Sequence, residues 1–108
     1  MVPTVLVVES YPDLRAGIVD ALQRNHFDCD AVATPNAATL KLREHDYAYV
    51  VIDVDSPEGT DEFVSSFDAG ANVILISDAD PRDARTNTFA MLRKPFSRDE
   101  LMAQFRRG

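Results

Sequence analysis

The stretch Val50-Val51-Ile52-Asp53 sets three β-branched apolar residues directly before a carboxylate. Two more short apolar runs occupy positions 5–8 and 73–76, and none of the three alternates with polar residues. Strands that are buried on both faces have this pattern, as in a parallel sheet covered by helices. The sequence therefore predicts that Asp53 lies at the end of a buried strand.

Helical patterns alternate with these runs. Apolar residues recur at helical spacing within each pattern, and Pro12 suits the first turn of the earliest one. Two weaker strands and four helices complete the predicted set: strands 29–33 and 90–93, and helices 13–25, 35–44, 60–69 and one after the capping box 97–100. Residues 81–88 are too polar for a regular helix, so the helix expected there is short or irregular. This alternation predicts a single α/β domain with a parallel sheet.

Composition excludes several classes of function. Eleven basic and 18 acidic residues give a net charge of −7, which opposes direct binding to a nucleic-acid backbone. Cys29 is the single cysteine, so a cysteine cluster for a metal is excluded. No apolar run is long enough to span a membrane, and the start of the chain lacks the basic segment of a signal peptide. We therefore expect no membrane contact and a cytoplasmic location.

Polar side chains stand where the predicted strands end, and function collects at this edge of a doubly wound sheet. They are Glu9 and Ser10, Asp53 and Asp55, Ser77 and Asp78, and Lys94. Crowded carboxylates repel one another unless a cation or a proton lies among them, and Mg²⁺ prefers oxygen ligands. With a lysine to hold an anion and a serine to donate to a phosphoryl oxygen, the set suggests phosphoryl transfer to Asp53.

Four signals in register resemble the receiver domain of two-component response regulators over essentially the whole chain. They are the acidic turn Glu9-Ser10, the motif Asp53-Val54-Asp55-Ser56-Pro57, Ser77 closing the fourth strand, and Lys94-Pro95-Phe96 after the fifth. The resemblance implies a flavodoxin-like fold with five parallel strands in the order 2-1-3-4-5, helices on both faces, and a receiver-like domain over residues 1–108. It also implies a cis Lys94–Pro95 bond.

By this resemblance the chain is a signalling domain rather than an enzyme. Asp53 would accept a phosphoryl group from a histidine kinase or phosphotransfer protein, assisted by Ser77 and Lys94. Mg²⁺ would be bound by Glu9, Asp53 and the backbone carbonyl of Asp55. A conformational change would then reach an output domain or partner protein outside the chain, with no prediction of oligomeric state.

Several residues depart from the receiver pattern. Ser10 replaces the second acid, which predicts weak or absent Mg²⁺ binding, and we expect it to cap a helix rather than bind metal. Asp78 adds charge and bulk beside the site, Met91 stands where an aromatic residue is usual, and Asp61 replaces a glycine. The segment between Ser77 and Lys94 is also short.

These departures keep a second class of function open, a pseudo-receiver that binds other proteins and is not phosphorylated. An enzyme is the third class, because Asp53-Val54-Asp55 also matches the Asp-x-Asp motif of haloacid-dehalogenase-like phosphatases. In those enzymes the motif follows the first strand of a longer chain, whereas two predicted strands precede it here. A flavodoxin-type flavin carrier is disfavoured, since the acids Glu9 and Asp13 would repel a phosphate.

Overall fold

The structure is a computed structural model that describes residues 4–55, 59–68, 70–79 and 89–105. Strands and helices alternate along it. In chain order they are β1 (Thr4–Val8), α1 (Pro12–Arg24), β2 (Asp28–Val32), α2 (Pro35–Glu44), β3 (Tyr49–Asp53), α3 (Thr60–Ser65), β4 (Val73–Ser77), β5 (Ala90–Arg93) and α4 (Arg98–Ala103). Each predicted strand is present within a residue or so at either end.

The five strands form one sheet in the order β2-β1-β3-β4-β5, and every neighbouring pair is parallel. The register sets Asp53 beside Ile76 and Ser77 beside Arg93, so the strands end at nearly the same level. The chain order reverses between β1 and β3, which is where such sheets open a crevice at their carboxyl edge. The flavodoxin-like fold and its strand order are confirmed.

Alternate residues of each strand point to opposite faces of the sheet, and helices cover both faces. The cluster on the face of α1 and α4 contains Val5, Val7, Ile18, Ala21, Leu22, Val51, Ile74, Ile76, Leu92, Leu101, Met102 and Phe105. The cluster on the face of α2 and α3 contains Leu6, Val8, Ala38, Val50, Ile52, Phe63, Val73 and Leu75. The strands β1, β3 and β4 are thus apolar on both sides, and the buried polar residues Asp53 and Ser77 are the last residues of β3 and β4.

The start of α1 differs from the sequence prediction. Its N-cap is Tyr11, whose extended backbone (φ −84°, ψ 114°) leads into Pro12 and whose side chain makes no capping hydrogen bond. The prediction that Ser10 caps this helix was wrong, because the residue before a proline is held in an extended conformation and so takes the N-cap position itself. Pro12 also lacks a backbone N–H that would need an acceptor.

The last helix begins as predicted, with a capping box in which Ser97 and Glu100 accept each other's backbone N–H groups. α3 ends at Ser65, earlier than the sequence pattern suggested. The hydroxyls of Ser65 and Ser66 donate to the carbonyls of Asp61 and Phe63, which competes with regular helical hydrogen bonding.

The short or irregular helix expected at 81–88 lies outside the described residues, as does Pro57. None of the helices in the described ranges combines the length and the apolar character that crossing a membrane requires.

Two leucines in helices test where the stability resides. Leu22 in α1 is fully buried, whereas Leu40 in α2 is 57% exposed. We expect Leu22→Ala to lower the free energy of unfolding by about 2–5 kcal/mol, because a cavity replaces packed side-chain atoms. Leu40→Ala should change it by no more than about 0.5 kcal/mol. Urea denaturation of both variants checks this, and equal losses would contradict the assignment of the core.

Candidate functional site

Hydrogen bonds of the sheet continue past two strands and fix the residues at its carboxyl edge. The backbone N–H of Glu9 donates to the carbonyl of Val32 at 3.0 Å, and that of Lys94 donates to the carbonyl of Ser77 at 2.8 Å. Asp53 and Ser77 are themselves the last residues of β3 and β4. The ends of β1 and β3 therefore each carry a carboxyl group, the end of β4 carries a hydroxyl group, and the end of β5 carries an ammonium group.

A buried ion pair joins the ends of β3 and β5. Lys94 Nζ donates to Asp53 Oδ2 at 2.7 Å, and the two side chains are only 18% and 5% exposed. Burial alone would lower the pKa of Lys94, but the hydrogen bond and charge of Asp53, followed by those of Asp55, raise it above its usual value. Lys94 thus remains cationic beside Asp53. The Lys94–Pro95 bond that follows is cis, as the resemblance implied.

Glu9 brings a second carboxyl group to Asp53. The residue is 1% exposed, and its Oε2 accepts the backbone N–H of Tyr11 at 3.2 Å. Burial, and next the neighbouring carboxyl group of Asp53, raise the pKa of Glu9 to about 7. Within the part of the chain that the structure describes, Glu9 Oε1 is buried without a hydrogen-bond partner. The Glu9 carboxyl group lies beside that of Asp53 and can take either a proton or a cation.

The side chain of Asp55 lies on the far side of Lys94 and collects three donors. Ser77 Oγ donates to its Oδ1 at 2.9 Å, the backbone N–H of Asp78 donates to its Oδ2 at 2.6 Å, and Lys94 Nζ lies 3.3 Å from the same Oδ2. Burial raises the pKa of Asp55, but the N–H of Asp78, then the hydroxyl of Ser77 and then Lys94 outweigh it and hold the pKa below its usual value. Asp55 is therefore a stable anion.

The acids at this edge fit a weak magnesium site. Glu9 and Asp53 place two carboxylates together, with one buried oxygen of Glu9 lacking any donor. Mg²⁺ is often held by only one or two carboxylates while water completes its shell. No group of three or more metal-ligating acidic, histidine or cysteine side chains occurs among the described residues. Ser10 is exposed and supplies no third charge.

The structure brings Glu9, Asp53, Asp55, Ser77 and Lys94 together, as the strand-end argument predicted. Their roles in metal binding or phosphoryl transfer stay predictions, since no ligand is present.

The sequence placed the Asp55 side chain at this edge, but the resemblance gave a role only to its backbone carbonyl. The contacts of the side chain with Ser77, Asp78 and Lys94 were not predicted. The signal that could have revealed them is the Asp-x-Asp spacing, because the second acid follows the end of a strand and faces the neighbouring strand's last hydroxyl.

The fold defines the class, a doubly wound parallel α/β domain. The chain has the fold of CheY-like response-regulator receiver domains. It is similar to the chemotaxis protein CheY4 of Vibrio cholerae, with 19% identity, a TM-score of 0.87, and coverage of 99% of this chain and 98% of that one.

Two further solved structures show the same likeness. A receiver protein from Burkholderia phymatum is 23% identical with a TM-score of 0.77, and 95% of this chain matches 91% of that one. The response regulator TrrA from Thermotoga maritima, solved in complex with Mg²⁺-BeF, is 22% identical with a TM-score of 0.81, over 95% of this chain and 96% of that one. At these identities the comparison establishes the fold. No protein-family model matches the chain, and neither does any curated protein.

The raised pKa of Glu9 predicts a pH effect on stability in metal-free protein. A carboxyl group whose pKa is higher in the folded than in the unfolded state destabilises the fold as it ionises. Glu9 should therefore lower the free energy of unfolding as pH rises from its ordinary pKa of 4.5 to its raised pKa of about 7, with no further change above that.

Denaturation of wild type and Glu9→Gln in EDTA, from about pH 5 to about pH 8, isolates the contribution of Glu9 ionisation to the free energy of unfolding. The free energy of the variant minus that of wild type should rise across this window. Asp55, whose pKa is lowered, cancels in the difference because it titrates below the window. A difference that stays constant would mean that Glu9 does not ionise there.

Proposed function

We propose that the chain is a receiver module of two-component signalling, in which Asp53 accepts a phosphoryl group and a conformational change passes the signal on. One observation carries this proposal: Asp53 is a buried carboxylate at the carboxyl edge of the sheet, with an ammonium group 2.7 Å away. The receiver fold and the switch-point position of the site support it.

The transfer step balances with a phosphohistidine as donor. A carboxylate oxygen of Asp53 attacks phosphorus, the P–N bond breaks, and the imidazole nitrogen leaves with the electron pair and takes up a proton. The product is a mixed anhydride between Asp53 and phosphate. Lys94 supplies a fixed positive charge for the phosphoryl oxygens, and Ser77 and the backbone N–H of Asp78 are the nearby donors.

Magnesium has a supporting role in this proposal. Glu9, Asp53 and the backbone carbonyl of Asp55 would hold Mg²⁺, which when bound neutralises negative charge on the transferred group. The buried Oε1 of Glu9 is the oxygen best placed to need a cation. With Ser10 in place of a second acid, binding should be weak.

The partners follow from this chemistry. A histidine kinase or phosphotransfer protein supplies the phosphoryl group, and an output domain or partner protein outside the chain reads the result. Residues 1–108 act as one receiver-like, cytoplasmic domain that is a signalling module and not an enzyme. The net charge of −7 disfavours direct contact with nucleic acid.

A pseudo-receiver is the second candidate, and one observation favours it. The donors that a phosphoryl group would use, Ser77, the N–H of Asp78 and Lys94, already contact the carboxylate of Asp55. A chain in which this arrangement is permanent would act through protein contacts alone.

Acetyl phosphate with Mg²⁺ separates the two candidates. We expect intact-mass measurement to show one added phosphoryl group on the wild-type chain, sensitive to hydroxylamine as an acyl phosphate is. Asp53→Asn should lose at least about 90% of this label, because an amide replaces the carboxylate that accepts the phosphoryl group. Asp20→Asn is the matched control, because Asp20 is an exposed acid paired with Arg24 on α1, away from the strand ends.

Labelling of wild type and Asp20→Asn but not of Asp53→Asn supports phosphoryl acceptance. Absence of label on the wild-type chain, or equal label on Asp53→Asn, removes Asp53 as the acceptor and leaves the pseudo-receiver.

A further inference from the structure

The carboxylate of Asp55 lies where three donors from two strand ends converge. Ser77 is the last residue of β4, Asp78 is next in the chain and supplies its backbone N–H, and Lys94 follows β5. Their distances to the Asp55 oxygens are 2.9, 2.6 and 3.3 Å. A hydroxyl, a backbone N–H and an ammonium group around one anion make up a complete anion site.

This site cannot serve two anions at once. Ser77 has one hydroxyl proton and Asp78 one backbone N–H, so each donates fully to a single acceptor. The hydroxyl is further fixed because Ser77 Oγ also accepts the N–H of Ala79 at 3.0 Å. Lys94 contacts both Asp53 Oδ2 and Asp55 Oδ2, so the two carboxylates share one cation. A phosphoryl group on Asp53 would bring a further anion to these donors.

We propose that the Asp55 carboxylate is the resident ligand of this anion site and competes with an incoming phosphoryl group for Ser77, Asp78 and Lys94. The inference rests on the proposed function in that it names the group that regulates entry to the same site. Asp55 is part of the same chain, so its effective concentration is high and independent of donor concentration. While Asp55 occupies the site, an external anion cannot bind there. The apparent affinity for that anion is therefore the intrinsic affinity multiplied by the fraction of molecules in which the site is free.

A consequence follows for the unmodified chain. Ser77 is already engaged with an anion, whereas in an open site its hydroxyl would be free to turn toward one. Phosphorylation of Asp53 would therefore exchange one anion for another at Ser77, and Asp55 would have to move out.

Beryllofluoride with Mg²⁺, the ligand pair of the TrrA structure, is the probe, and amide NMR shifts report its binding. We compare wild type with Asp55→Ala and with the matched control Asp78→Ala. Both variants remove one negative charge at the mouth of the site, but Asp78→Ala keeps the backbone N–H that donates to Asp55. The Asp55 side chain is 33% exposed and lies beyond the end of β3. Far-ultraviolet circular dichroism and the urea midpoint of the Asp55→Ala protein check that this variant folds.

We expect Asp55→Ala to lower the half-saturating beryllofluoride concentration by roughly tenfold or more relative to wild type. Asp78→Ala should lower it by no more than about threefold, because it changes only long-range charge. Equal effects of the two variants, or none from Asp55→Ala, would overturn the competition while leaving phosphoryl acceptance intact.

Failure of the proposed function gives a different pattern, in which neither wild type nor Asp55→Ala binds beryllofluoride. The competition for a phosphoryl group is then lost with it. The amide proton of Asp78 still decides whether Asp55 occupies the anion site. An upfield change of the Asp78 amide proton chemical shift in Asp55→Ala supports that occupancy, because a charge-assisted hydrogen bond has been removed. An unchanged chemical shift overturns it.

Discussion

The ion pair between Asp53 and Lys94 is the contact that makes this sheet edge possible. Three carboxyl groups, those of Glu9, Asp53 and Asp55, lie at the ends of two neighbouring strands, and their mutual repulsion would be costly without a cation. Lys94 contacts two of them, at 2.7 and 3.3 Å. Burial, and next the carboxyl group of Asp53, raise the pKa of the third, Glu9, so that it binds its proton more tightly.

The apolar body of the domain holds that edge in place. Because β1, β3 and β4 are almost wholly buried, the polar residues Glu9, Asp53 and Ser77 stand where these strands stop. Parallel pairing with an even register then brings the ends of β1, β3, β4 and β5 to one level. The same packing that stabilises the fold thus concentrates acids, a hydroxyl and an ammonium group at one crevice.

Much of this could be predicted from the sequence, for reasons that are local. The runs at 50–52 and 73–76 consist of apolar residues, which is enough to predict that they are buried. The capping box of Ser97 and Glu100 can be predicted because it is a contact between residues three apart. Features that depend on three-dimensional contacts could not be read in this way. The Asp55 side chain contacts Ser77 of β4, which lies more than 20 residues away in the chain. Tyr11 is the N-cap of α1, although serine is the commoner N-cap residue and Ser10 was therefore predicted.

The central claim is that Lys94 stabilises the folded edge through Asp53, and a double-mutant cycle measures it directly. Urea denaturation of wild type, Asp53→Asn, Lys94→Met and the double variant gives the coupling energy between the two side chains. We expect a coupling of at least about 1 kcal/mol, because Lys94→Met leaves the buried Asp53 carboxylate without its cation and Asp53→Asn leaves Lys94 only the more distant Asp55. Additive effects, within about 0.5 kcal/mol, would contradict the claim that this pair holds the site together.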